Sequence, residues 1–267
     1  MPASIRPLRI AHLSDSHLGQ EGDPEILHPG TVSRLESVVA VLESLGAELD
    51  LIVHTGDVTH ATTPENYKIV VDRLSRLSVP TLLVPGNHDD RSIFPLCVGP
   101  TLSVTDWGIS GLISYHADLP ELTVVALDAF SSSLIPYGAR VSAGQLARLR
   151  KVLSERETPV IVLMHYPPFS TDCVGTDGTI EVEDADALHA VLVEARQKIR
   201  AVLHGHTHLS TQIVRDGILY AGVGSISQSF KGLPQDKEFA LDPVPLPMFN
   251  LISIGAQSTL IKQCFCR

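Results

Sequence analysis

The chain has 267 residues, 44% hydrophobic and 19% charged, which is too apolar for intrinsic disorder and enough to bury a full core. Its 30 acidic residues against 20 basic give a formal charge of −10, so it has no long-range attraction for nucleic acid or an anionic membrane surface. No apolar run approaches the ~18 residues of a membrane span, and the opening MPASIRPLRIAHLSD lacks the apolar stretch of a secretory signal.

Short apolar runs alternate with amphipathic stretches. Leu8 to Leu13 reads as a strand. Thr31 is the expected cap of a helix with Val32, Leu35, Val38, Val39, Leu42 and Leu45 on one face and Gly46 past its end. Leu49 to His54 is a second strand, Pro64 to Leu77 a helix opened by proline, and Val79 to Val84 a third strand. Leu122 to Leu127 follows as a strand, Ser142 to Arg156 as a serine-capped helix, and Val160 to Met164 as a strand. Asp184 to Lys198 is the last helix and Ile199 to Leu203 the sixth strand. Strands without polar alternation, separated by helices, are buried on both faces of an α/β layered fold.

The end of the chain differs. Thr211 to Arg215 and Ile218 to Ala221 flank Asp216-Gly217 and read as a hairpin; Phe249 to Ile254 and Ser258 to Gln263 flank Gly255 and read as another. Pro243 to Pro247 is a short connection. The expectation is one domain over 1–267 with a carboxyl-terminal β extension at about 231–267. The four cysteines, Cys97, Cys173, Cys264 and Cys266, form no C-x2-C pair and are too scattered for a disulfide framework. They predict free thiols and a reducing, cytoplasmic location.

Five apolar strands end in metal-ligand chemistry: Asp15-Ser16-His17, Gly56-Asp57, Gly86-Asn87-His88-Asp89, His165, and Gly205-His206-Thr207-His208. In open α/β sheets ligands bind outside the carboxyl ends of the strands, so these clusters share an edge on which they can converge. Carboxylate, amide oxygen and imidazole together suit Fe, Mn, Zn and Co, and the absence of cysteine argues against a purely structural zinc site. Six or seven donors are too many for one tetrahedral ion and suit two, an arrangement used for displacement at phosphorus. On a strand, His206 and His208 would face one side.

The series D-x-H, G-D, G-N-H-D, H and G-H-x-H, in this order over residues 15–208, resembles the calcineurin-like metallophosphoesterase superfamily. GNHDDR, Leu127-Asp128, HYPP at 165–168 and GHTH are most similar to its bacterial cyclic-nucleotide phosphodiesterase and glycerophosphodiesterase branch. The resemblance implies an α/β fold, a four-layer αββα sandwich of two mixed sheets flanked by helices. It implies a first ion on Asp15, His17 and His208, a second on Asn87, His165 and His206, and Asp57 bridging both. It further implies hydrolysis of small phosphodiesters by attack of a metal-bound hydroxide. His88 would stand beside the phosphate as hydrogen-bond donor or acid, and Asp89 is a candidate to orient it. Relatives in this branch are often dimers, which points to Ser131 to Arg140 or the tail after Phe230 as a homodimer interface.

Other activities of the superfamily remain open on this reading. A phosphomonoesterase has the same ligand set. Asp15-Ser16-His17-Leu18-Gly19 also resembles the first motif of DNA-repair nucleases, although the chain lacks a basic stripe. A non-catalytic scaffold would be expected to lose ligands, and none is missing. His12, His54, His60 and His204 lie off the pattern and read as core or supporting residues; His28, His116 and His189 read as surface or satisfied. Trp107, Tyr115, Tyr166 and Phe169 are candidates to line a substrate pocket, and Arg91 either steers phosphate or caps a helix.

Overall fold

The computed structural model describes residues 6–19, 30–131, 138–173, 182–236, 240–242 and 246–267. The elements run β1 (Leu8–Leu13), α1 (Thr31–Leu45), β2 (Leu51–His54), α2 (Pro64–Leu74), β3 (Thr81–Leu83), α3 (Phe94–Cys97), β4 (Thr105–Asp106), β5 (Tyr115–Leu119) and β6 (Leu122–Leu127). They continue with β7 (Ala139–Arg140), α4 (Ala143–Glu155), β8 (Val160–Met164), β9 (Val182–Glu183), α5 (Ala185–Glu194), β10 (Ile199–His204), β11 (Gln212–Arg215), β12 (Ile218–Gly222), β13 (Met248–Ile254) and β14 (Thr259–Phe265).

One sheet has five strands in the order β14-β13-β1-β2-β3, and the other has seven in the order β11-β12-β10-β8-β6-β5-β4. Both are mixed: β1, β2 and β3 are parallel while β13 is antiparallel to β1, and β6, β8, β10 and β12 are parallel while β5 and β11 are antiparallel at the flanks. Side-chain alternation explains the layering. Ile10, Leu51, Val53, Ile161, Leu163 and Leu203 meet between the sheets. Ala11, Leu13 and Ile52 point the other way, onto Leu35, Val38 and Val70 of α1 and α2. Val160, Val162 and Met164 point onto Leu149, Leu188 and Leu192 of α4 and α5. The result is the expected αββα stack, and each of the Val, Leu, Ile and Met side chains named contributes about 1.5–3 kcal/mol by leaving water.

Capping residues set several helix starts. Thr63 accepts from Asn66 N–H at 3.3 Å before Pro64, and Ser142 with Gln145 forms a reciprocal capping box. Thr31 is not the cap of α1: Gly30 holds that position at φ 106°, a left-handed backbone that favours glycine. Two helices stop short of the apolar periodicity. α2 ends at Leu74, and the chain goes on to Leu77 in tighter turns, Arg76 N–H donating to Arg73 O and Leu77 N–H to Leu74 O. α5 ends at Glu194, and the chain unwinds so that Lys198 Nζ can donate to Leu153 O and Arg156 O at the end of α4.

The two carboxyl-terminal hairpins form, and β13 lies directly against β1, Leu8 opposite Ile254. Tyr115 and Trp107 are framework residues. Tyr115 Oη donates to Leu83 O at 2.6 Å, tying β5 to β3 across the two sheets, and Trp107 donates to His116. His28, residues 132–137 of the expected interface and residues 243–245 of the proline-rich connection lie outside the described residues. Among the described residues no helix is long and apolar enough to cross a membrane.

Candidate metal centre

The five motifs follow immediately on β1, β2, β3, β8 and β10, so both sheets deliver their carboxyl ends to one place. Backbone bonds then carry the pairing beyond the strands. Asp15 N–H donates to Gly56 O and His17 N–H to Asp57 O, each at 3.0 Å. Gly205 N–H donates to His165 O at 2.9 Å. The sheets are stitched together at Asp15, whose Oδ2 accepts from His206 N–H at 3.1 Å and whose carbonyl accepts from Ser227 N–H at 3.1 Å.

Two triads of donors result: Asp15, His17 and His208, and Asp57, His165 and His206, each with its ligand atoms within 4.8 Å of one another. In the first, His17 Nε2 lies 3.2 Å from His208 Nε2, and Asp15 Oδ1 lies 3.2 Å from His208 Nε2 and 3.8 Å from His17 Nε2. In the second, His165 Nε2 lies 3.0 Å from His206 Nδ1, 3.0 Å from Asn87 Oδ1 and 3.3 Å from Asp57 Oδ2. Asp57 Oδ2 also reaches the first triad, 3.5 Å from His17 Nε2. His165 Nδ1–H donates to Thr55 O at 2.7 Å and His208 Nδ1–H to Gln228 O at 2.8 Å, which turns the Nε2 atom of each ring inward.

Five of the eight non-glycine residues at positive φ among the described residues belong to these triads: Asp15, His17, Asp57, His206 and His208. Each such conformation costs about 1–3 kcal/mol and persists only where the surroundings enforce it. His206 at φ 69° and His208 at φ 55° are therefore not a strand pair facing one side. The loop sends them to different triads. Glycines make the close approaches possible. A Cβ at Gly86 would overlap the Asp57 carboxylate, and one at Gly205 would overlap Asp15 and Ser14.

The donors fit cations. Two donors each ~2.1 Å from one ion and at right angles to it lie about 3.0 Å apart, the spacing seen between facing imidazole nitrogens here. Asp15 Oδ1 is buried and accepts no hydrogen bond. Burial lowers the His17 pKa to about 4, and burial with the His165 charge lowers that of His206 to about 3, so both rings are neutral at physiological pH, the form in which an imidazole can take a metal. Burial also pushes His165 down, but the Asp57 carboxylate outweighs it and raises His165 to about 9. The reciprocal attraction overcomes burial at Asp57 and holds its carboxyl below the usual range.

The neighbouring residues divide by contact. The half-buried His88 ring is edge-on to His17 at 4.9 Å and stacked on His60 at 4.8 Å. Asp89 accepts from Gly86, Val58 and Thr59 N–H and from Tyr67 Oη, so its carboxylate pins the second and third motif loops together rather than orienting the His88 ring. His54 joins Gly56 N–H to Ser16 Oγ, and His12 contacts Thr55 Oγ1, both as fully buried supports. His189 bridges Tyr220 and Asp216, with Phe169 packed on its ring. Tyr166 is buried against His206, ring centroids 4.6 Å apart.

Arg91 caps no helix among the described residues, and its guanidinium is taken up by the framework. Its guanidinium pairs with the buried Asp128 through two bonds of 2.7 and 3.2 Å and donates to Gly86 O and Asp89 O. Arg91→Ala strands a buried carboxylate and frees the third motif loop. The expected result is a loss of about 3 kcal/mol, read as a lower denaturant midpoint at unchanged slope.

Residues 8–210 match the family model for calcineurin-like phosphoesterases. The chain is 25% identical over 256 residues to a 3′,5′-cyclic-nucleotide phosphodiesterase of Nostoc sp., covering 95% of this chain and 90% of the relative. It is 32% identical over 219 residues to a probable cyclic nucleotide phosphodiesterase of Rhodococcus erythropolis, covering 78% and 67%. It is 28% identical over 213 residues to a glycerophosphodiester phosphodiesterase of Enterobacter lignolyticus, covering 74% and 70%. A dimetal phosphatase from Danio rerio shares the fold at a TM-score of 0.67 and 16% identity, over 96% of this chain and 98% of that one. With the motifs, the sandwich and the family match in agreement, the chain belongs to the calcineurin-like phosphoesterase family.

Proposed function

We propose that the protein hydrolyses small phosphodiesters, cyclic nucleotides or glycerophosphodiesters, at a centre of two Fe, Mn, Zn or Co ions. Asp15, His17 and His208 hold one ion, Asn87, His165 and His206 the other, and Asp57 is shared. Bound ions of this kind polarise phosphoryl oxygens and lower the pKa of water. The chain's own part is to fix the donors: Thr55 O and Gln228 O aim His165 and His208, and the strained loops and glycines leave the donors no other direction. His88 stands at the accessible rim, where its imidazole donates a hydrogen bond to a phosphate oxygen or a proton to the departing alkoxide. The observation that carries this reading is the single Asp57 oxygen within 3.5 Å of a histidine from each triad.

The net charge of −10 does not oppose an anionic substrate, because bound ions reverse the local sign. The four free thiols support work in a reducing cytoplasm, and the acidic surface supports a partner that is neither nucleic acid nor membrane. The preference for diesters leans on the relatives. The test is a panel of a cyclic nucleotide, a glycerophosphodiester and an aryl monoester, assayed with each metal restored to chelator-treated protein. The expected result is faster turnover of one or both diesters, with two ions counted per chain. Faster turnover of the monoester sinks the substrate class.

A further inference from the structure

A third group of donors is not used as a set in the two-ion reading: His17, His60 and His88 also bring three ligand atoms within 4.8 Å of one another. It shares His17 with the first triad. Around the His17 ring, the His88, His208 and His60 centroids lie at 4.9, 5.1 and 5.7 Å. The two triads differ in two physical respects. Asp15, His17 and His208 are all buried, whereas His60 and His88 are only half-buried. The outer triad is imidazole only, whereas the inner one contains the Asp15 carboxylate and has Asp57 beside it.

We propose that His60, with His88 and His17, forms an entry site that takes a first-row divalent cation from solvent and passes it to the buried Asp15–His208 position. The inference rests on the reading of Asp15, His17 and His208 as a metal site. Ligand exchange then proceeds one donor at a time. His17 stays bound, His60 and His88 leave, and His208 and Asp15 replace them. The cation keeps its charge and no proton moves. A dication leaving three neutral imidazoles for a set with carboxylates gains Coulomb energy, which gives the transfer its direction. The imidazoles suit the same ions as the inner set, so entry needs no change of metal class. His60 is held for this by its backbone, since its N–H donates to Leu18 O at 2.8 Å, and by its stack on His88 at an interplanar angle of 28°.

A residue on the path of entry is also on the path of exit. It therefore changes both rates by one factor and leaves the affinity alone. The experiment measures Co²⁺ uptake by metal-free protein through its visible absorption in stopped flow, and Co²⁺ release from the loaded protein to excess chelator. His60→Ala is expected to slow uptake and release alike, about tenfold, with the same number of ions bound at the end. In a His208→Ala protein, where the inner triad is broken, the ion is expected to rest on the outer one, and adding His60→Ala weakens it at least tenfold. Unchanged rates in His60→Ala overturn the proposal. So does a His60→Ala protein that holds one ion fewer, because His60 would then be a resident ligand. If the wild type holds no ion at Asp15, the underlying two-ion reading fails instead, and the two failures are told apart by counting metal in the untreated protein.

Discussion

Asp57→Asn is expected to leave the purified protein with at most one ion per chain and to lower kcat/KM on a diester by about 10³-fold, equivalent to about 4 kcal/mol of transition-state stabilisation. The substitution keeps the shape of the side chain but removes the one negative oxygen within 3.5 Å of His17 and 3.3 Å of His165. It should also erase a pH signature of the metal-free protein. Asp57 raises the His165 pKa to about 9 there, above the ordinary value of 6.5. A histidine with a raised folded-state pKa contributes stability that is fully present below the unfolded value and is lost as pH rises through the folded one. Metal-free wild type should therefore lose up to about 3 kcal/mol between pH 6.5 and 9, and Asp57→Asn should be less stable than wild type at the low end and flat across that window. Denaturant midpoints across pH, with metal analysis of the untreated proteins, check both parts. A two-ion Asp57→Asn protein would remove the shared-carboxylate reading.

The part of this site that is legible in the sequence is the part set by strand ends. Asp15, Asp57, Asn87, His165 and His206 each follow an apolar run, and a sheet with parallel strands gathers such residues on one edge whatever the intervening helices do. What spacing could not show is conformation. The alternation of His206 and His208 suggests one face only if the backbone is extended, and their positive φ values belong to a tight loop whose Gly205 packs against Ser14 and Asp15. The role of Arg91 is hidden for a similar reason: its partner Asp128 is 37 residues away and reaches it only because β6 lies two strands inside the second sheet. In the fold, β5 carries His116 and Asp118 among its five residues and shows no apolar run, so it is missing from the pattern. The hairpin of β13 and β14 is local and readable, while its docking on β1 depends on partners some 240 residues earlier. His60 carried a weak signal, a histidine three residues past Asp57, which gains meaning only when His88 is seen stacked on it.

His88→Ala tests the remaining chemical role, and it is expected to separate binding of metal from turnover. His88 touches Asp57 only through its backbone N–H, 2.9 Å from Oδ1, and any residue but proline supplies that donor. Metal content should therefore stay at two ions per chain. Loss of the imidazole should lower kcat on a cyclic nucleotide by 10²–10⁴-fold, with ~10³-fold the central expectation, if the ring protonates the departing alkoxide. The same variant on an activated aryl diester, whose leaving group departs without a proton, should lose about tenfold or less. His88→Asn adds a sharper division. An amide can donate a hydrogen bond to phosphate but cannot deliver a proton, so it should recover the aryl diester rate and little of the cyclic-nucleotide rate. Equal losses on both substrates, restored by asparagine, would assign His88 to holding the phosphate rather than to the leaving group.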